Sequence, residues 1–430
     1  MSLRRLAQGA LAALVLCFTL MSSPPVSAEN IELVVWDWQG FRNEQLRPFA
    51  EEYSRLNPGV TFSFQVVPLG EYPDKLATAI AAGVEPDLLH FHNKFTSQFL
   101  PMLAPFPKDL FPVERMREEY LAFDQAFLIH EDDDQFYFLP AGIMTGVIFY
   151  NKDLWAQSGL APEAPTWDAL REAGKKLTRR ASDGKLAVAG LSLRGAEWTG
   201  LTDMIYQQGG WLFNEDGTKA YLNTPEARRA YEYMSNVFFV DQSSNVTEPG
   251  FDIARGNIAS QYKWAWYREP LDASDVNYGV LPIPTFTGSM QPAVGRNNYE
   301  PSFAVLGTIS DERKRTAFEF LKWLYEQDAY HIAINKGRIP GKLSLWQLDE
   351  VRLDPTLQVL ANMAPYTIFP GELPGYQWEQ PMGQLASAFI NRMNAPEILL
   401  EETERIINAR LAETPAAWVV ERRYAPPGLN

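Results

Sequence analysis

The sequence predicts an α/β protein divided between two domains, and three observations carry that reading. At 430 residues the chain exceeds what one hydrophobic core usually serves. Residues 31–91 read strand–helix–strand–helix–strand, the opening of a doubly wound parallel sheet. Residues 136–150 then form a long, almost uncharged extended stretch, after which the pattern turns at once to short helices. Such a strand either carries the chain from one domain to the other or belongs to an ordinary strand–helix–helix unit. Taken alone, the segment leaves both open.

The N-terminus reads as a targeting signal. Arg4 and Arg5 make a basic start, Ala10–Met21 an apolar run too short to span a membrane, and Val26-Ser27-Ala28 a cleavage site. Cleavage is expected after Ala28. The residues around the arginine pair fit twin-arginine export poorly, so the general secretory route is preferred. Cys17, the only cysteine, lies in the apolar run behind Leu16 rather than behind the small residue of a lipoprotein signal. No lipid anchor is expected, and the cleaved chain would hold no disulfide, which points to a bacterial periplasm.

Beyond the signal, Ile31–Trp36 is a near-continuous apolar strand, as in parallel sheets buried on both faces. A helix follows over residues 43–56, with Leu46, Phe49, Ala50, Tyr53 and Leu56 on one face. Residues 60–67 alternate as a strand, 71–82 form a helix, and 87–91 a third strand. Ligands of such sheets bind beyond the strand C-termini, here Asp37–Phe41 and His92–Phe95. The acidic run Glu131–Asp134 reads as a solvated turn, since it lacks the glycine and ligand spacing of a calcium loop.

After the extended stretch, Asn151-Lys152-Asp153 turns the chain into a short helix stopped by Gly159, and Thr166 caps a helix to Leu177. Residues 187–193 read as a strand, 199–208 as a helix, and Thr224 with Pro225 begins a helix to about Phe239. Ile258–Trp266 and Tyr278–Pro282 are strand-like, Phe303–Leu306 is a second candidate crossing strand, and Asp311–Tyr325 a helix. Lys336–Gly341 is a third break, after which everything reads as helical. These later breaks at 303–306 and 337–341 give the first crossing companions, and so favour a passage between two bodies.

Composition excludes several functions. The formal charge of −15 argues against nucleic acid or an anionic membrane surface as partner. There is no nucleophile elbow and no phosphate loop. His90 and His92 could face one way from a strand, yet no third or fourth ligand lies nearby in sequence, and neither a metal nor a cofactor is expected. No pair of carboxylates stands in a recognisable glycosidase pattern. What does stand out is tryptophan at strand ends and in loops: Trp36 and Trp38, Trp198, Trp264 with Trp266 and Tyr267, and Trp378 in the Pro374–Pro381 link. Polar groups occur in the same places, namely Asp37, Asn93, Lys94, Glu197, Arg296, Asn297 and Asn298. An aromatic face covers the C–H face of a sugar ring while carboxylates and amides bind its hydroxyls. For Trp167, Trp323 and Trp346, on helices, a core position is expected.

These residues resemble the periplasmic solute-binding proteins of ABC transporters, specifically the maltose-binding-protein-like group that carries sugars. The likeness rests on Phe138-x-Pro140, Ile148–Leu154, Gly159-Leu160 and Pro165–Asp168, supported by Gly83–Leu88, Leu281-Pro282-x-Pro284, Ala317–Leu321 and Gly337–Pro340. It implies two lobes, each a sheet flanked by helices, joined by hinge segments: residues 29–145 with 303–340, and 146–302 with 341–430. It implies a non-catalytic protein, expected as a monomer, that closes on a carbohydrate and presents it to inner-membrane permease subunits. Ligand contacts are then expected from Asp37, Trp38, His92, Asn93, Lys94, Glu197, Trp198, Trp264, Trp266, Asn297, Asn298, Tyr376 and Trp378, and hinge roles from Pro140, Gly142, Gly146, Phe303 and Pro340. One departure is the run Gly295-Arg296-Asn297-Asn298-Tyr299-Glu300, bulkier and more polar than the glycine-rich turn the family often has there.

Overall fold

The computed structural model describes residues 30–92, 95–121, 123, 134–214, 216–246, 248–286, 295–301, 303–335, 337–369, 375–413 and 422–423. The opening pattern folds as its periodicity dictates. Strand β1 (Ile31–Asp37) lies between β2 (Val60–Val66) and β3 (Leu88–His90), parallel to both, which is why Leu33, Val35 and Trp36 are buried. A strand from far along the chain, β10 (Phe303–Val305), closes the other edge antiparallel to β3. Helix Gly40–Leu56 buries Leu46, Ala50 and Tyr53 against this sheet, and Tyr53 meets Phe320 of helix Asp311–Tyr325 edge-on at 5.2 Å. Asp87, fully buried, takes both Arg313 nitrogens Nε and Nη2 on its carboxylate, which ties that helix to the start of β3.

The second sheet is organised by β4 (Pro140–Asn151), the extended stretch of the sequence. Its C-terminal half pairs antiparallel with β7 (Ser260–Trp264) and β8 (Tyr278–Leu281). Its N-terminal half pairs with β9 (Gly295–Pro301) and β11 (Ile339–Pro340). Beyond β9, β12 (Thr367–Phe369) runs parallel to it and pairs with β13 (Arg422–Arg423), while β5 (Arg179–Arg180) and β6 (Leu186–Val188) form a separate two-stranded ribbon. The helices of this half begin where their caps stand: Asn151 Oδ1 accepts from the amides of Asp153 and Leu154, Thr166 from Ala169, and Thr224 from Ala227. The molecule is thus a two-lobed α/β protein.

All three passages between the sheets meet at β4. Gly142 stands opposite Glu300 of β9 and Pro340 of β11, and Ile143 opposite Tyr299 and Ile339. β9 runs on toward β10 in the first sheet, and the Leu139 amide donates to the Phe303 carbonyl at 3.1 Å.

Four expectations need correction. Gly295–Glu300 is a strand rather than a turn, because pairing on both sides with β4 and β12 overrides the weak β propensity of Arg, Asn and Gly. The chain after Gly341 is not wholly helical, since β12 and β13 belong to the second sheet. Residues 187–193 are regular only to Val188, then touch the next segment at single parallel bridges from Ala189 and Ser192. The helix from Pro225 ends at Ser235 and runs on as a π turn, Asn236–Val240. Of the acidic run, only Asp134 is described, and it pairs with Arg117 at 3.0 Å. Among the described residues no helix is long and apolar enough to cross a membrane.

Candidate functional site

The C-terminal ends of β1 and β3 face the second lobe across a cleft of about 760 Å³. From the first lobe it is lined by Trp38, Gln39, Phe41, Arg42 and His92, and from the second lobe and its crossings by Met144, Trp198, Trp264, Trp266, Arg296 and Arg338, among others. Two glutamates, Glu269 and Glu379, complete the charged lining.

On the first wall a buried polar chain holds Trp38 in place. Asp37 is only 2% exposed, and its carboxylate is spent inward, accepting from the Gln39 amide at 2.8 Å and meeting His90 Nδ1 at 2.6 Å. Arg42 approaches the other ring nitrogen, Nε2, and a guanidinium only donates. His90 thus stands between the two, with Nδ1 toward the Asp37 carboxylate and Nε2 toward Arg42. The Trp38 indole packs on His90 and His92 at 4.7 and 5.4 Å, with Tyr72 edge-on at 6.1 Å and the Arg42 guanidinium 5.4 Å from its centre. Rings and cation together pack around the indole.

The opposite wall is built on β7 and β9. β7 delivers Trp264 at its end and turns through Ala265–Tyr267, which puts Trp266 on the same cleft. Trp198 arrives just ahead of helix Thr199–Gln207. Between Trp198 and Trp264 lies Arg296 of β9, its guanidinium 5.0 and 5.4 Å from the two ring centres. Its main chain is fixed by Asp203, whose Oδ1 accepts the Arg296 amide at 2.6 Å, and by the Thr145 hydroxyl, which donates to its carbonyl at 2.9 Å. The second Asp203 oxygen accepts from Tyr262 at 2.6 Å. Burial pushes Asp203 up to about 7, against the opposing pull of those two donors and the nearby guanidinium. The third crossing also reaches this wall, because the α-carbon of Gly337 packs on the backbone of Ala265 and Trp266, too close for any side chain.

A model of the bacterial extracellular solute-binding protein family matches residues 42–330. The chain belongs to that family. Its members are solute-binding proteins rather than enzymes. This solute-binding protein is 25% identical over 399 residues to a Brucella abortus protein named only as a binding protein, covering 88% of this chain and 91% of that one. A lactose-binding protein of Rhizobium radiobacter is 23% identical over 312 residues, 69% of this chain and 71% of its own. In fold it is similar to the maltose/maltodextrin-binding domain of Bdellovibrio bacteriovorus bound to maltotriose, with a TM-score of 0.75, 16% identity, and 89% and 100% of the two chains covered.

Within the cleft of this solute-binding protein, the structure brings together six of the residues singled out in the sequence: Trp38, His92, Trp198, Trp264, Trp266 and Arg296. Four it sets elsewhere. Asp37 stands behind Trp38 with its carboxylate already engaged. Glu197 is buried and ion-paired with Arg194. Trp378 is fully buried against Phe213, 4.8 Å between centres, so it serves the second lobe's core. Tyr376 is 56% exposed and stacks under Arg410, 4.2 Å away, outside the cleft lining. Asn93 and Lys94 lie outside the described residues, and Asn297 and Asn298 are described only as backbone, opposite Thr145 and Met144. Pro140, Gly142, Phe303 and Pro340 gather at the crossings, whereas Gly146 lies in the second sheet opposite Trp264. Trp167 is core, as expected, with Nε1 donating to Gln207. Among the described residues no three acidic, His or Cys side chains gather as a metal would require.

Sequence reasoning missed Arg42, Arg338, Glu269 and Glu379. Arg42 was within reach of it, lying in the first turn of the helix that follows β1. Arg338 and Glu379 come from distant segments, and only the fold brings them to the cleft.

Proposed function

We propose that this protein captures a saccharide between its two lobes in the periplasm and delivers it to the permease of an ABC importer. The observation that carries the reading is the set of four tryptophans, Trp38 from one wall and Trp198, Trp264 and Trp266 from the other, turned toward one cleft amid polar side chains. A ligand between them touches both lobes at once and so stabilises the closed arrangement over the open one. The lobes are residues 29–145 with 303–340 and 146–302 with 341–430, and the hinge lies where Pro140, Gly142, Phe303 and Pro340 meet. Gly146, inside the second sheet, acts as a packing residue. Residues 1–28 are a signal peptide cleaved after Ala28, and the exported chain works as a monomer without a lipid anchor. Relatives named for lactose and for arabinooligosaccharides agree with a sugar as ligand.

Thermal-shift screening over mono- and oligosaccharides, followed by titration of tryptophan fluorescence, tests the reading. A saccharide that raises the unfolding midpoint and perturbs the emission saturably is expected. Indifference to every saccharide, with a response to amino acids, polyamines or iron complexes, would remove sugar from the proposal.

A further inference from the structure

Arg296 is a charged group of the cleft lining that the described residues leave incompletely bonded. It is 7% exposed, and its Nε and Nη1 are buried with no hydrogen-bond partner among the described residues. A buried guanidinium in that state is costly, since each unbonded N–H forgoes water without replacement. The carboxylates of Glu379 and Asp203 lie near enough to offset part of the charge, and two indole faces add to this through the flat sides of the guanidinium. The in-plane N–H groups of Nε and Nη1, the kind that match a carboxylate or phosphate oxygen, are not used by them.

The surroundings have the same sign. In a chain of formal charge −15, the cleft lining carries three arginines, Arg42, Arg296 and Arg338, against two glutamates. Two helices also start there: Gly40–Leu56 after Gln39, and Thr199–Gln207 after Trp198, neither with a side-chain cap on its first amides. Helix N-termini left in that condition favour negative charge.

We infer that the saccharide taken by this cleft carries an acidic substituent, a ring carboxylate or a phosphate, drawn to the guanidinium of Arg296 while its sugar rings lie against the tryptophans. The inference rests on the sugar-binding reading above and narrows it. A neutral sugar would leave the guanidinium with hydroxyls alone, which are weaker acceptors than an anion.

The test is calorimetry on the exported chain with matched panels. One holds neutral oligosaccharides from starch, mannan, xylan and galactan. A second holds uronate oligomers from pectin, alginate and glucuronoxylan, and a third holds sugar phosphates. The tightest ligand should be acidic, bound about tenfold or more above its neutral counterpart, and weakened by added salt. Arg296→Gln should cut that affinity about a hundredfold, and Arg296→Lys should restore only part of it. Which panel holds the winner tells carboxylate from phosphate. A neutral sugar as the tightest ligand of the unaltered protein overturns the inference while sparing the sugar reading, and needs no variant to fold. Absence of binding in all three panels overturns both.

Discussion

Tyr262 donates its hydroxyl to Asp203 Oδ2 at 2.6 Å, within the second lobe directly behind the wall that holds Trp264. The other oxygen of the same carboxylate fixes the main chain of Arg296. A core phenol therefore helps to set the position of a cleft cation, although it lines no part of the cleft itself. Tyr262→Phe should lose about 1–3 kcal/mol of stability in urea unfolding, the scale for leaving a buried acceptor short of a donor. It should also weaken ligand binding. A stability loss with affinity untouched would show that the chain from Tyr262 to Arg296 is structural only.

Asp203 gives a pH dependence with a definite sign. Its carboxyl is raised from 3.8 to about 7 by burial, so between those values the folded protein keeps a proton that the unfolded chain releases. Its contribution to stability is full below pH 3.8 and is lost as pH rises through about 7. Asp203→Asn removes the titration. Relative to the unaltered protein, the variant should gain stability as pH rises from 4 to 8, measured as a difference in unfolding midpoints at each pH. Parallel profiles would refute the assignment.

Gly146 answers to the same group of residues. The Tyr262 ring lies against its α-carbon, where a methyl group would collide with the phenol. Gly146→Ala should cost about 1–3 kcal/mol through overpacking. Because the displaced ring is the one bonded to Asp203, affinity should fall with stability, whereas a glycine serving only hinge freedom would show changed closure kinetics at unchanged stability.

This glycine also marks where sequence reading stops. Its place in a β-rich stretch was visible, and so was that of Pro140 and Gly142, because apolar β-formers punctuated by Gly and Pro are a local signal. The phenol that demands the glycine comes from position 262, and nothing local records it. The same division runs through the site. Trp38, Trp264 and Trp266 stand at or just beyond strand ends, which periodicity locates well, whereas Trp198 stands at the start of a helix. Asp37 also stands at a strand end, yet its side chain turns inward to His90, a choice made by a partner 53 residues away. Trp378 sits among prolines and reads as a loop, but long-range packing on Phe213 buries it. Strand β9 was illegible because its polar residues have little β propensity, and its pairing with β4 and β12 exists only in the folded chain.

In the first lobe, Arg313 is the partner of a fully buried Asp87 carboxylate, which also accepts the Val34 amide at 2.7 Å. Arg313→Met would leave that carboxylate without its cation and should cost about 3 kcal/mol, because the penalty falls on the charge left behind. Arg313→Met with Asp87→Asn should recover part of the loss. A double variant that costs the sum of Arg313→Met and Asp87→Asn taken singly, in a double-mutant cycle by chemical denaturation, would mean that the pair is not coupled.

Trp264 and Trp378 separate binding from folding. Trp264 ends β7 on the cleft, half-buried, with Arg296 over its ring, so its contacts are completed by ligand rather than by the core. Trp264→Ala should weaken saccharide binding by about 1–3 kcal/mol in calorimetry, the scale of a lost aromatic contact, while the unfolding midpoint moves little. Trp378 is wholly enclosed, so Trp378→Ala should do the reverse and cost about 3–5 kcal/mol of stability by leaving a cavity. Because a cavity of that size can soften the second lobe, Trp378→Phe is the sharper measurement: it keeps most of the volume and should leave affinity unchanged. If Trp378→Phe abolishes binding while Trp264→Ala does not, the wall of the cleft has been assigned to the wrong tryptophan.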